Sequence, residues 1–142
     1  MKNVFIDTNI LLEIVLARKE QKACQQILQA GINGEINLFA SYLTFANIAY
    51  ILKRNKVPQT QIYQIERMLE SKITVLNMDR YQLRAALRQE VKDFEDMLQY
   101  QSALAGQCSC IVTINVKDFT EFSSLPVFSP NGLLDLLDED TE

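Results

Sequence analysis

Val4, Phe5 and Ile6 form an apolar run too short for a helix, and it stops at an acid, Asp7. Such a run reads as a strand buried on both faces. Thr8 and Asn9 follow, residue types that cap helices, and Ile10, Leu11 and Ile14 then carry helical spacing. Strand, acid, helix start: that order puts a carboxylate at the C-terminal end of a first strand, where open α/β sheets bind ligands. Asp7 read alone is a helix cap. It gains meaning because further acids stand downstream at similar turns.

The rest of the chain repeats the alternation. Helices are expected over 9–18, 20–31, 42–54, from Pro58 to about Glu70, over 79–90, over 94–106, and after Ser129-Pro130-Asn131. The 42–54 segment is apolar on most faces and is expected to be largely buried. Strands are expected at 36–40, 73–76 and 110–113, with a short fifth at Val127-Phe128. This pattern predicts an α/β fold, a three-layer α/β/α sandwich around a mostly parallel sheet of four or five strands. With 142 residues and 48% hydrophobic content, one domain is expected over residues 1–137, followed by an acidic tail at 138–142.

Composition narrows the chemistry. The chain has no histidine, which removes Ser-His and Cys-His nucleophiles and imidazole-ligated zinc. Three cysteines, Cys24, Cys108 and Cys110, lack C-x-x-C spacing and read as buried thiols of a reducing cytoplasm. No apolar run reaches the ~20 residues of a membrane span, and no signal peptide is expected. Oxygen donors are what remain, and they suit Mg²⁺ or Mn²⁺. The net charge is −4. Asp135, Asp138, Glu139, Asp140 and Glu142 supply five of the 18 acids, so the body has 13 acids against 14 bases and little non-specific grip on nucleic acid.

Asp93 and Asp96 open the helix at 94, and Asn115 and Asp118 follow the fourth strand. In a parallel sheet the strand ends share one edge, so Asp7, Asn115 and Asp118 can gather there, joined by Asp96. Two carboxylates about 4 Å apart repel by about 4 kcal/mol at an effective dielectric near 20, so such a cluster implies a cation. Asp93 reads as an N-cap, and Glu95 as a solvated first-turn acid. Asn115 and Asp118 also fit simple turn roles.

Phe5-Ile6-Asp7-Thr8-Asn9, Asp93-Phe94-Glu95-Asp96 leading to Ser102-Ala103-Leu104-Ala105, and Val112-Thr113-Ile114-Asn115-Val116-Lys117-Asp118-Phe119 together resemble a PIN domain. The likeness is greatest to the small prokaryotic branch that includes toxin ribonucleases of the VapC type, and it runs over about residues 2–130. It implies metal-dependent cleavage of RNA, with one or two Mg²⁺ or Mn²⁺ ions. Asp7 and Asp96 match family acids, Asn115 matches a position that takes Asp or Asn, and Asp118 accompanies it. These four would be the metal ligands. The family's second acid, a Glu on the helix after the second strand, is replaced by Asn47, which would be a neutral ligand or hold a water. Ile114 stands where many relatives carry Arg. Thr8, Asn9 and Thr113 would bind the phosphate or its waters, or serve as caps, and Lys117 is a solvated lysine that could reach a phosphate.

The expected function is therefore a Mg²⁺/Mn²⁺-dependent endoribonuclease, the toxin of a toxin–antitoxin pair, with RNA substrate, a cognate antitoxin, a homodimeric state and a cytoplasmic location. Ile48, Ile51 and Leu52, or Leu133, Leu134 and Leu137, would offer a partner an apolar surface, or serve as core. The alternative is a weakened PIN-like module that binds RNA or a protein without cutting, an option that Asn47 keeps open. Aspartyl-phosphate chemistry fits poorly: Asp7-Thr8-Asn9 is not Asp-x-Asp, and Leu76-Asn77-Met78-Asp79 is a poor match to a phosphoacceptor after the third strand.

Overall fold

The structure is a computed structural model and describes residues 2–140. Its centre is a five-stranded, all-parallel sheet. The strands are β1 (Lys2–Ile6), β2 (Ile36–Ser41), β3 (Thr74–Leu76), β4 (Cys110–Val112) and β5 (Val127–Phe128). They lie in the order β3-β2-β1-β4-β5. Eight helices cover the sheet among the described residues: α1 (Thr8–Val15), α2 (Gln21–Ile32), α3 (Tyr42–Arg54), α4 (Gln59–Lys72), α5 (Arg80–Gln89), α6 (Phe94–Ala105), α7 (Val116–Thr120) and α8 (Pro130–Asp140). This is the expected α/β/α sandwich. Of the expected acidic tail, residues 138–140 continue α8, and residues 141 and 142 lie outside the described residues. Among the described residues no helix is long and apolar enough to cross a membrane.

The two-residue period of the strands builds two cores. Val4 and Ile6, Ile36, Leu38 and Ala40, and Cys110 and Val112 pack on one face with α1, α2, α3, α4 and α8. Phe5 and Ile111, with Phe39 beside them, pack on the other with α5, α6 and α7. Both faces are covered, which explains why the strands read as continuous apolar runs. The three cysteines are free and buried, as expected.

Several local expectations need correction. α1 is capped by Asp7 rather than by Thr8 or Asn9. Pro58 is the N-cap residue of α4 rather than part of its first turn. α3 has the expected bounds but is a surface helix, burying only the i, i+4, i+8 stripe of Thr44, Ile48 and Leu52 while Tyr42 and Tyr50 are exposed. Ile48, Leu52 and Leu133 are fully buried core, so they offer no surface to a partner; Ile51, Leu134 and Leu137 are partly buried against the same core. The segment after β4 is a short helix, α7, where only turn residues were expected.

The strand order decides where the functional residues meet. The chain runs from β1 outward through β2 to β3, then returns past β1 to place β4 on its other side. The order reverses between β1 and β4, which opens a crevice beyond their C-terminal ends. Asp7 ends β1, and Thr113 ends β4 beside it.

Close packing of α2 on β2 offers a test. A Cβ on Gly31 would stand 2.7 Å from Leu38 Cγ and nearer still to Leu38 Cδ1, in the core. Alanine in mid-helix is ordinarily better than glycine by about 1 kcal/mol, while overpacking costs about 1–3 kcal/mol. Gly31→Ala is therefore expected to lower stability by about 1 kcal/mol in urea unfolding; a rise would mean that this contact has slack.

Candidate active site

Asp7 is 5% exposed. Its Oδ1 accepts the backbone N–H of Thr8 at 2.9 Å, and its Oδ2 accepts the Thr113 hydroxyl at 2.9 Å. The backbone N–H of Asp7 donates to Val112 O at 3.0 Å, so the acid is fixed to β4 at both ends. Burial is the main force on its titration and raises its pKa from 3.8 to about 6, against the lowering effect of those two hydrogen bonds; Glu95 and Asp93 push it up further.

Asp96 lies in the first turn of α6, its backbone N–H capped by Asp93 Oδ1 at 3.0 Å. Asp93 is thus the expected N-cap. Burial, then the charges of Asp7, Asp93, Asp118 and Glu95, raise the Asp96 pKa from 3.8 to about 7. Asn115 is the N-cap residue of α7 and Asp118 lies in its first turn, both exposed. A polar pocket of about 400 Å³ gathers these groups: Asp7, Thr8, Asn9, Asn47, Asp93, Glu95, Asp96, Asn115 and Asp118 all line it. Of the expected ligands and phosphate-binding residues, Thr113 alone does not line it. It is fully buried, with its hydroxyl donated to Asp7 and accepting the Asn115 backbone N–H at 3.1 Å. Ile114 is half-buried against the core, and Lys117 is exposed.

Beneath the pocket lies a polar web that the sequence did not reveal. Gln99, fully buried on α6 one turn beyond Asp96, donates from Nε2 to Thr8 Oγ1 and to Thr44 Oγ1, each at 3.2 Å. It accepts the Ser41 hydroxyl at 2.7 Å, and the Thr8 and Thr44 hydroxyls are 3.0 Å apart. One amide thereby ties α6 to the ends of β1 and β2 and to α3. The available signal was its i+3 spacing from Asp96 within an apolar stretch.

Glu95 requires a correction. It is exposed, as expected, but it lines the pocket instead of pointing elsewhere, and its Oε1 accepts Asn47 Nδ2 at 2.7 Å. Its pKa is raised, first by burial and then by Asp93, while Asn47 lowers it. Tyr50, Ile51 and Arg54 also line the pocket, three, four and seven residues beyond Asn47, so one face of α3 forms its wall. The Arg54 guanidinium lies 5.8 Å from the Tyr50 ring centroid, a cation–π distance. Neither Tyr50 nor Arg54 was singled out in the sequence, although their spacing from Asn47 was there to read.

The donor set is all oxygen and mostly anionic, and burial and like charge both disfavour its ionisation. That chemistry suits a hard divalent cation. Among the described residues, no three Cys, Asp or Glu side chains are gathered closely enough to hold an ion. Unscreened carboxylates repel, so a tight cluster is not the resting arrangement of these acids alone.

A larger cavity, about 770 Å³, lies between α3 and α4. Phe45, Ala49, Val57 and Ile62 make it largely apolar, with Glu66 on its wall. Glu66 Oε2 is buried without a hydrogen-bond partner, and burial raises the group's pKa to about 7. Lys53, Arg67 and Glu70 also line it, whereas the acids that converge from β1, α6 and α7 belong to the smaller pocket.

Two outcomes test this geometry. Asp7 and Asp96 hold protons in the folded state that the unfolded chain has released, so stability should fall as pH rises from about 4 to about 7 and level off above that. In EDTA, Tm is expected to be higher at pH 5 than at pH 8, and Asp96→Asn should flatten the dependence. Gln99→Leu leaves three buried hydroxyls short of a partner and is expected to cost about 2–4 kcal/mol in chemical denaturation. A neutral effect would show that Thr8, Ser41 and Thr44 can satisfy one another.

Comparison with known proteins bears on the family and the fold. A family model described as PIN domain matches residues 3–117. None of the curated proteins matches significantly in sequence. Among solved structures, VapBC2 from Rickettsia felis bound to a DNA fragment from its promoter aligns with a TM-score of 0.66 at 19% identity, covering 89% of this chain and 98% of that one. A toxin–antitoxin complex from Klebsiella pneumoniae aligns at 0.64 and 25% identity, covering 89% and 97%. VapBC-1 from nontypeable Haemophilus influenzae aligns at 0.65 and 17% identity, covering 91% and 98%.

Proposed function

The chain belongs to the PIN domain family, and from that premise we propose that it is a Mg²⁺- or Mn²⁺-dependent endoribonuclease, the toxin of a cytoplasmic toxin–antitoxin pair. The observation that carries the reading is the convergence of Asp7, Asp96 and Asp118 on one polar pocket at the crevice between β1 and β4. One or two divalent ions bound there would activate a water as nucleophile and neutralise charge at the scissile phosphate.

The chain's own residues take distinct parts. Asp7, Asp96 and Asp118 are the charged ligands, and Asn115 is a neutral one. Asn47 stands on the α3 wall as an amide. Thr113 and the Thr8 backbone hold the Asp7 carboxylate in one orientation, which keeps its free electron pairs toward the pocket. The Thr8 hydroxyl belongs to the Gln99 web beneath, and Asn9 offers the phosphate an amide at the rim. Arg54 brings positive charge to the pocket wall and suits a non-bridging phosphate oxygen.

The Klebsiella pneumoniae neighbour is a toxin–antitoxin complex, which supports a protein partner here. The apolar groove between α3 and α4 suits a segment of such an antitoxin, and the exposed Tyr81, Leu83 and Leu87 of α5 suit a second copy of the chain. The second reading, a module that binds without cutting, is favoured by one observation: Asn47 contributes no charge.

The deciding experiment is cleavage of a mixed RNA pool with Mg²⁺ or Mn²⁺. Wild type is expected to cut, EDTA to stop it, and Asp7→Asn and Asp96→Asn each to slow cutting by at least about 100-fold. Protein that binds Mn²⁺ and cuts no RNA would replace the nuclease with the binding module.

A further inference from the structure

On the α3 wall the proposed site has an amide where a fourth charge would strengthen its hold on a divalent ion. The side chain that meets this amide is an acid from another element. Asn47 Nδ2 donates to Glu95 Oε1 at 2.7 Å, and both residues line the pocket. We propose that Glu95, aimed by the Asn47 amide, supplies the carboxylate that α3 lacks, so that Asp7, Glu95, Asp96 and Asp118 together form the cation-binding set.

The helix geometry makes this division possible. Adjacent residues on α6 point about 100° apart, so Asp96 and Glu95 cannot face the same way. The longer glutamate side chain makes up the difference by bending toward α3, where Asn47 holds it. Glu95 is exposed, and it makes no ion pair among the described residues, where the pair found joins Lys2 and Asp140, so the Asn47 hydrogen bond is what holds it against α3. The exchange of an acid for an amide on α3 is thus paired with an acid on α6 that the amide can orient.

This inference rests on reading the pocket as a divalent-metal site, and Mn²⁺ binding separates it from the nuclease reading. Calorimetric titration of Mn²⁺ into the full chain would compare wild type, Glu95→Gln, Asn47→Ala and the double variant Asn47→Glu/Glu95→Gln. Glutamine at 95 still accepts the Asn47 hydrogen bond, so a mere tether between α3 and α6 survives that change while the charge is lost. Glu95→Gln is expected to weaken Mn²⁺ binding by about 10-fold or more, Asn47→Ala by less, and the double variant to recover it. Glu95→Gln with wild-type Mn²⁺ affinity would overturn the proposal, as would wild type that binds no Mn²⁺. Wild type that binds Mn²⁺ through Glu95 yet cuts no RNA would sink the nuclease and leave this inference standing; RNA cutting with Glu95→Gln affinity unchanged would do the reverse.

Discussion

The hydrogen bond from Thr113 to Asp7 holds together what the rest of the structure arranges. It joins the end of β1 to the end of β4 at the place where the strand order reverses. A carboxylate there is 5% exposed, and its burial opposes its own ionisation. A fold keeps such a group when surrounding donors orient it and when something of opposite charge can complete it. Thr8 and Thr113 provide the first condition. A divalent ion, on the proposed reading, provides the second.

The same logic extends outward in two tiers. Below the pocket, Gln99 satisfies hydroxyls from α1, β2 and α3 at once, so Asp7, next to Thr8, and the helices carrying Asn47 and Asp96 share one buried anchor. Low local polarity makes each of these bonds costly to break, which favours a single arrangement of the three elements. At the rim the contacts are looser and exposed: Asn47 meets Glu95, and Asp118 rides on a five-residue helix. Rigid below and adaptable above is an arrangement suited to acids that repel one another until a cation draws them in.

Much of the architecture was legible because the strands are buried on both faces and the helices carry their own punctuation. The end of β2 at Ser41 marks where α3 begins, and Asp93 caps the start of α6. The site was legible to the extent that strand ends collect at one edge, which brings Asp7, Asn115 and Asp118 to the same pocket. Glu95 was misjudged because helical spacing gives the direction of a backbone bond, while the reach of a long side chain depends on who stands opposite. The burial of α3 was overstated for a related reason: a Tyr-rich helix is apolar in composition, yet Tyr42 and Tyr50 sit at the surface. α7 was missed since five residues carry too few positions to show a period.

Sequence by itself determined the alternation of strand and helix, the all-oxygen chemistry forced by a chain without histidine, and the placing of Asp7 at a strand end. These are local properties, set by residue type and by periods of two and 3.6. Tertiary structure alone decided the strand order, and with it the crevice between β1 and β4 where acids nearly 90 to 110 positions apart in the chain share one pocket. It also decided that Gln99 faces the three hydroxyls and that Asn47 faces Glu95. Those pairings depend on how α3 and α6 pack across the sheet edge, and no periodicity within either helix encodes the distance between them.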